Sequence, residues 1–158
     1  MNRLCLLLFL LTASTGLSAQ KSFKKNNAYI EVLGNGLALS VNYERQLSDK
    51  PGPGLFLGIG LGGNKPVIPF GIKYLFGLKN NKSFIEAGAG ITLAEAGIWK
   101  DDLPATVNRY AYTPGFIPCL GYRHHTSYGL MWRINYTPAF SRYRNIPAFF
   151  GVSAGWQF

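Results

Sequence analysis

From residue 28 to the last residue, apolar side chains return at every second position rather than at helical spacing. Leu55, Leu57, Ile59 and Leu61 share one parity, as do Ile68, Phe70, Ile72, Tyr74 and Phe76. The same holds for Ile85, Ala87, Ala89, Ile91 and Leu93, and for Leu130, Trp132, Ile134 and Tyr136. The final stretch repeats it with Phe150, Val152, Ala154, Trp156 and Phe158. This period of two predicts eight strands, roughly 28–34, 37–47, 54–62, 67–76, 83–93, 112–124, 128–137 and 148–158. Turn chemistry separates them: Asn35-Gly36, "SDKPGPG" at 48–54, "GNKP" at 63–66 and "GLKNNK" at 77–82. No 12-residue window carries a helical stripe.

The first joint fixes the strand count. Read as one strand, 28–47 would move its apolar set from Ala28, Ile30 and Val32 to the opposite face midway. With Asn35-Gly36 as a two-residue turn, Gly34 and Leu37 become partners, and Leu37, Leu39, Val41 and Tyr43 continue the apolar side. A bulge at 34–36 is the alternative, since glycine also marks bulges.

The opposite face is what discriminates between architectures. It holds Gly58, Gly60, Gly62, Gly71, Gly88, Gly90 and Gly129, with isolated charges such as Lys73, Glu86 and Arg133. A soluble carrier barrel points its apolar face inward and needs a hydrated, charge-rich exterior. An outer-membrane barrel inverts this, with apolar residues toward lipid and a polar interior. A face of glycines makes a poor water-facing surface but suits a narrow lumen in which eight strands converge. The chain is also rich in aromatic residues (15%) and poor in charge (15%). Tyr43, Tyr74, Phe76, Tyr112, Tyr122, Trp132, Tyr136, Trp156 and Phe158 fall near strand ends, where interfacial aromatic belts are expected. The predicted fold is all-β: a transmembrane up-and-down antiparallel β-barrel of eight strands, located in the cell outer membrane. With the amino terminus in the periplasm, the two longest joints, 94–111 and 138–147, face outward. The last strand is expected to pair with the first and close the barrel.

Ahead of the barrel stands "MNRLCLLLFLLTASTGLSA", with Arg3, an apolar run from Leu4 to Leu11, and small residues up to Ala19. That layout predicts a signal peptide over 1–19, followed by a short basic periplasmic tail at 20–27 and the barrel at 28–158. An apolar core of about eight residues is far short of the ~20 a membrane helix needs. Loss of Cys5 with the signal leaves Cys119 alone, read as a small buried hydrophobe. Without Arg3 the chain holds 15 Lys and Arg against 7 Asp and Glu, a net charge of +8. The charges are spread thinly, with a cluster only at Lys21, Lys24 and Lys25, so nucleic acid is not expected as a partner.

"NAYIEVLGNGLALSVNYERQL" (27–47), "FIEAGAGIT" (84–92), "LGYRHHTSYGLMWRINYTPAF" (120–140) and "FFGVSAGWQF" (149–158) resemble small eight-stranded outer-membrane β-barrel proteins of Bacteroidetes-type bacteria. The most specific part runs from Gly34 to Arg45. The resemblance covers most of the chain after the signal and implies fold and location rather than an activity. The last strand, with Trp156 and Phe158, also resembles the carboxy-terminal assembly signal of such barrels, which implies the barrel-assembly machinery as a partner. Outer-membrane lipids are the other expected partner, together with an extracellular ligand of unknown identity.

A catalytic alternative comes from "RHHTSYG" (123–129), which looks like the Arg-His-x-Ser-Asn stretch of lipid A deacylases, eight-stranded barrels with a Ser-His-Glu arrangement. On that resemblance His124 would be the base and Thr126 the nucleophile, with His125 and Ser127 as a second pair. A hydroxyl needs an adjacent base and a third group that orients it. Thr126 replaces the serine, and no carboxylate follows Asp102. No histidine–carboxylate group has metal-ligand spacing, and no phosphate-binding glycine loop is present, so neither metal nor cofactor is expected. The expected function is therefore a non-catalytic structural or surface-interaction role, with a lipid A-modifying enzyme as the alternative.

If the apolar face meets lipid, parity sends Glu31, Glu44, Glu86, Lys73, Arg123 and Arg133 inward. Three acids and three bases in a narrow lumen are expected to pair in a hydrogen-bonded network and plug it.

Overall fold

The computed structural model describes residues 23–80, 82–100 and 103–158; the predicted signal peptide, 1–19, lies outside them. Ten strands follow in order: β1 (Asn26–Leu33), β2 (Leu39–Gln46), β3 (Pro53–Gly62), β4 (Lys65–Gly77), β5 (Ser83–Glu95), β6 (Tyr112–His125), β7 (Leu130–Tyr136), β8 (Ala139–Ser141), β9 (Asn145–Ile146) and β10 (Phe150–Gln157). A four-residue helix, α1 (Ala96–Trp99), follows β5. Strands β1 to β7 pair antiparallel with their neighbours in sequence, β7 pairs with β10, and β10 returns to β1. The result is a closed eight-stranded up-and-down barrel, in which β8 and β9 form a small hairpin docked on β6 through Phe116↔Phe140. Closure gives every barrel strand two neighbours, so no ring edge is left unpaired. At the seam Ile30 faces Ala154, and Asn26 and Phe158 exchange backbone hydrogen bonds of 3.2 and 3.0 Å.

The apolar parity points outward on every ring strand. Ile59 is 65% exposed, Ile72 61%, Val41 57% and Leu120 57%, whereas the alternate positions are mostly buried. The nine strand-end aromatics named above all lie on this outer face, with Tyr122 half-buried and the rest exposed. Inside, glycine stands across from large side chains: Gly155 pairs with Tyr29, Gly58 with Asn42, Gly71 with Phe56 and Gly121 with Asn135. A Cβ at Gly58 or Gly121 would fall inside contact distance of the asparagine opposite. The small residues of the inner face thus make room for their cross-strand partners rather than leaving a void.

Strand β1 begins at Asn26, so the amino-terminal tail ends two residues sooner than the 20–27 expected. The first joint also differs. Two strands do meet there, in the expected register with Val32 opposite Leu39, so the bulge is excluded. The turn is wider than two residues, however. Leu33 N–H donates to the Ala38 carbonyl at 2.8 Å, enclosing a 3-10 turn at Gly34–Gly36. Gly34, Asn35, Gly36 and Leu37 are all buried, because the turn folds into the barrel mouth. There Thr92 Oγ1 donates to the Asn35 carbonyl at 2.5 Å. Leu37, expected on the outer face, instead packs with Val67, Ala94, Trp99, Ile117 and Ala139. Its φ of 63° and the 61° of Leu33 lie in the left-handed region, which costs a non-glycine residue about 1–2 kcal/mol. Burying a leucine side chain is worth about 1.5–3 kcal/mol, so the inward fold can absorb the strain at Leu37.

The apolar cluster caps the lumen at the end where the longer connections lie, hereafter the loop end; α1 contributes Trp99 and Ile98, and the β8–β9 segment adds Tyr143 and Ile146. At the opposite, tail end, Phe23 and His125 stack on Phe84 with ring centroids 6.1 and 4.5 Å away. Both mouths are therefore covered by side chains of the chain itself.

Two turn glycines test this account. Gly34 has φ 72° and its Cβ would stand 2.8 Å from Glu31 Oε1, whereas Gly63 has φ 66° with nothing within 4 Å. Gly63→Ala should cost only the backbone strain, about 1 kcal/mol, and Gly34→Ala clearly more. Urea-induced unfolding of the two variants in detergent would measure the difference; equal losses would contradict the inward turn.

Candidate functional site

The middle of the lumen is filled by the six charges that parity selects. Glu31, Glu44, Glu86, Lys73, Arg123 and Arg133 come from six strands, β1, β2, β5, β4, β6 and β7, and each is at most 2% exposed. Arg123 clamps Glu44 with two parallel bonds, Nη1 to Oε1 at 2.6 Å and Nη2 to Oε2 at 2.7 Å. Such fork-to-fork contacts fix geometry as well as charge. Arg123 also meets Glu86 Oε2. Arg133 donates to Glu31 at 3.0 Å and to Glu86 at 3.1 Å, and lies 3.6 Å from Glu44. Lys73 sits 3.2 Å from Glu86 and 4.0 Å from Glu44. Glu86 lies within 3.2 Å of all three bases and is the hub of the network, whereas Glu44 reaches Arg133 and Lys73 only at 3.6 and 4.0 Å.

Uncharged groups complete the shell. Asn135 Nδ2 donates to Glu86 at 3.2 Å, Gln46 Nε2 to Glu44 at 2.9 Å, and Arg133 Nε to Ser153 Oγ at 3.0 Å. The Lys73 ammonium lies 4.4 Å from the centre of the Phe56 ring, and the Arg133 guanidinium 4.1 Å from that of Tyr29. These ring faces supply attraction to cations that water no longer reaches. Sequence reasoning passed over Tyr29, Gln46, Phe56 and Ser153. Parity was the available signal, because each shares the inward face of its strand with a charge or a glycine.

The histidines of "RHHTSYG" are placed apart. His125 points inward, stacked on Phe84, with Gln157 Nε2 3.1 Å from its ring nitrogens. His124 lies on the other side of the strand, its ring 5.7 Å from that of Trp132 and its Nδ1 3.1 Å from Ser83 Oγ. Thr126 and Ser127 belong to the β6–β7 turn at the tail end, where the Thr126 backbone N–H donates to the Leu130 carbonyl at 2.8 Å. Among the described residues no carboxylate pairs with either ring, and no three His, Cys, Asp or Glu side chains gather as metal ligands. The hydroxyl hydrogen-bonded to a histidine is that of Ser83, which the sequence did not single out. It is 2% exposed and also takes hydrogen bonds from Asn80 Nδ2 and Tyr122 OH, both at 2.8 Å. The arrangement brings together a serine and a histidine but shields the serine and supplies no acid to orient the base. Cys119 is buried in the lumen as a free thiol.

Trp156 stands on the outer face of β10, across from Ala28 and Leu130, and Phe158 follows just past its end; they are exposed by 50% and 58%. In comparisons with known proteins, the chain matches no protein-family model, no curated protein and no solved structure.

The contact pattern ranks the acids by cost of removal. Glu86→Leu strands charge on three bases and should lose about 3–5 kcal/mol of unfolding free energy. Glu31→Gln should lose less, because Arg133 keeps Glu86 and Glu44. Denaturant titration of both variants would reverse this ranking if the hub were elsewhere.

Proposed function

We propose that the chain is an integral protein of the bacterial outer membrane, with a structural or surface-interaction role and no catalytic activity. The observation that carries the reading is the outward apolar face around the whole closed ring, set against a charge-paired interior. On β4 the outward side chains from Ile68 to Phe76 cover about 27 Å of strand. At the usual tilt of roughly 40° that is a height of about 20 Å, near the ~25 Å lipid-facing band of such barrels. Water would be a poor neighbour for so continuous an apolar surface. The long segments after β5 and β7 at one end and short turns at the other support an external loop end and a periplasmic tail end. A signal peptide at 1–19 and the resemblance to small Bacteroidetes-type barrels agree with this placement.

Trp156 and Phe158 serve, on this reading, as the recognition feature of the closing strand for the barrel-assembly machinery. The lumen, occupied by six paired charges and capped at both mouths, acts as a rigid centre rather than a diffusion path. Surface interaction is left to the external segments between α1 and β6 and around β8–β9. The alternative, a lipid A-modifying enzyme, gains little from the β6–β7 turn, since His124 and His125 spend their contacts on Ser83, Trp132, Phe84 and Gln157. A lipid profile of a deletion strain separates the readings: loss of one lipid A species would favour the enzyme.

Three measurements check the main reading. The mature protein should require detergent for extraction, and planar-bilayer recording should show no large, steady conductance. Phe158→Asp should lower the amount of folded, heat-modifiable protein several-fold, by placing a charge where an apolar ring faces lipid. Periplasmic recovery without detergent would point instead to a soluble carrier.

A further inference from the structure

The lumen network is neutral, with three acids and three bases, so the positive balance of the described residues lies on the two rims. It is divided unevenly. The loop end has Lys65, Lys100, Arg109, Arg142 and Arg144 against Glu95, Asp101 and Asp102 in sequence, a balance of +2. Counted in sequence in the same way, the tail end has Lys21, Lys24, Lys25, Arg45, Lys50, Lys79 and Lys82 against Asp49 alone, a balance of +6. Asp49 is taken by Lys25 at 2.6 Å. Among the described residues no carboxylate meets Arg45, Lys50, Lys79 or Lys82, and all four are exposed. The end with the shorter turns is thus the more basic.

These charges lie where lipid headgroups would. Arg45 occupies the outward face of β2, in line with Leu39, Val41 and Tyr43 and across from Leu55. A guanidinium there runs its stem along the apolar wall and delivers its charge at the boundary of that wall. Lys50 extends from the β2–β3 turn and Lys79 and Lys82 from the β4–β5 turn, just beyond Tyr74 and Phe76. Lys24 stands 6.0 Å from the centre of the Trp156 ring and donates to the Gln157 carbonyl at 3.0 Å. Two of the three tail-end turns therefore carry cations without a carboxylate partner next to outward aromatic side chains, and the amino-terminal segment adds Lys24 beside Trp156. Aromatic side chains beside cations at the edge of an apolar band match an anionic headgroup layer above its acyl chains. A soluble polyanion would need the charges but not their alignment with the apolar wall.

Resting on the outer-membrane reading above, we infer that the tail-end rim is a collar selective for anionic phospholipid headgroups in the leaflet it enters. The selectivity should be electrostatic and therefore sensitive to salt.

The test uses the mature chain refolded into phosphatidylcholine vesicles with 30% phosphatidylglycerol, and reads the relative association of spin-labelled phosphatidylglycerol and phosphatidylcholine with the barrel. Wild type should prefer phosphatidylglycerol roughly fivefold, about the effect of one well-placed basic residue, and lose most of that preference in 0.5 M NaCl. The variant R45Q/K50Q/K79Q/K82Q should fall to near unity, while R142Q/R144Q at the loop end keeps the preference. Heat-modifiable migration verifies that each variant is folded, and the salt comparison on wild type does not depend on any variant. No preference in wild type, a preference that survives the tail-end substitutions, or equal loss in both variants would overturn the collar. So would cosedimentation with purified cell-wall polymer that is lost in the tail-end variant while lipid preference is unchanged. If the wild-type chain fails to resist alkaline extraction from the vesicles, the outer-membrane reading itself is defeated and the collar falls with it.

Discussion

Closure of eight strands into one ring is the constraint from which the rest of this structure follows. A ring satisfies the backbone without an edge, but it also fixes the interior at a width that side chains alone can fill. Every second residue of every strand must then fit that space. The chain meets the limit by placing glycine across from bulk, so that Tyr29 lies over Gly155 and Phe56 beside Gly71 and Gly90. A second large residue at any such pair would force the strands apart, and with them the seam between β1 and β10. The 19 glycines of the chain are thus in good part a packing device.

The same narrowness governs the charges. Six ionised groups out of reach of water are costly unless each is paired and hydrogen-bonded. Here three guanidinium or ammonium groups share three carboxylates, with Glu86 common to all three. Because the six groups come from six different strands, the network joins points around most of the ring. An apolar filling of equal volume could be as stable or more so. What the charges add is register: moving one strand by a residue turns its charge outward and leaves the partners unpaired. Apolar packing closes the two mouths, through the Leu37–Trp99 cluster at the loop end and through Phe23 and Phe84 at the tail end.

These two halves of the interior were unequally legible in the sequence. Strict alternation identified all eight ring strands, and with them which face of each strand points out. The positions of Glu31, Glu44, Lys73, Glu86, Arg123 and Arg133 followed from the same parity. The cap did not follow. Leu37 belongs by parity to the outer face beside Leu39 and Val41, yet it turns inward because the chain leaves the strand conformation at Leu33 and Leu37. Its reward lies in Val67, Trp99, Ile117 and Ala139, each far away in sequence. Helix α1 and the β8–β9 hairpin escaped for a related reason: four-residue and shorter elements carry no measurable period. The two histidines were found at once by motif, but which way each ring faced depended on the alternation of β6, and that separates neighbours to opposite sides of the wall.

The interior also changes what the composition of the chain means. A net charge of +9 over 158 residues reads as a uniformly basic protein, and a uniformly basic protein invites a search for a nucleic acid. Resolved in space, the charge separates into a neutral core and two rims, with no basic residue among the outward side chains between the aromatic rings. On the outer-membrane reading the apolar wall forces this division, since a lone cation at mid-height costs about 2–4 kcal/mol against lipid and little near the interface. Basic residues on such a chain have two kinds of place, one beside a carboxylate in the lumen and one at a rim. Lys73, Arg123 and Arg133 take the first and between them engage all three lumen acids. Arg45, Lys50, Lys79 and Lys82 take the second, and among the described residues no acid stands beside them.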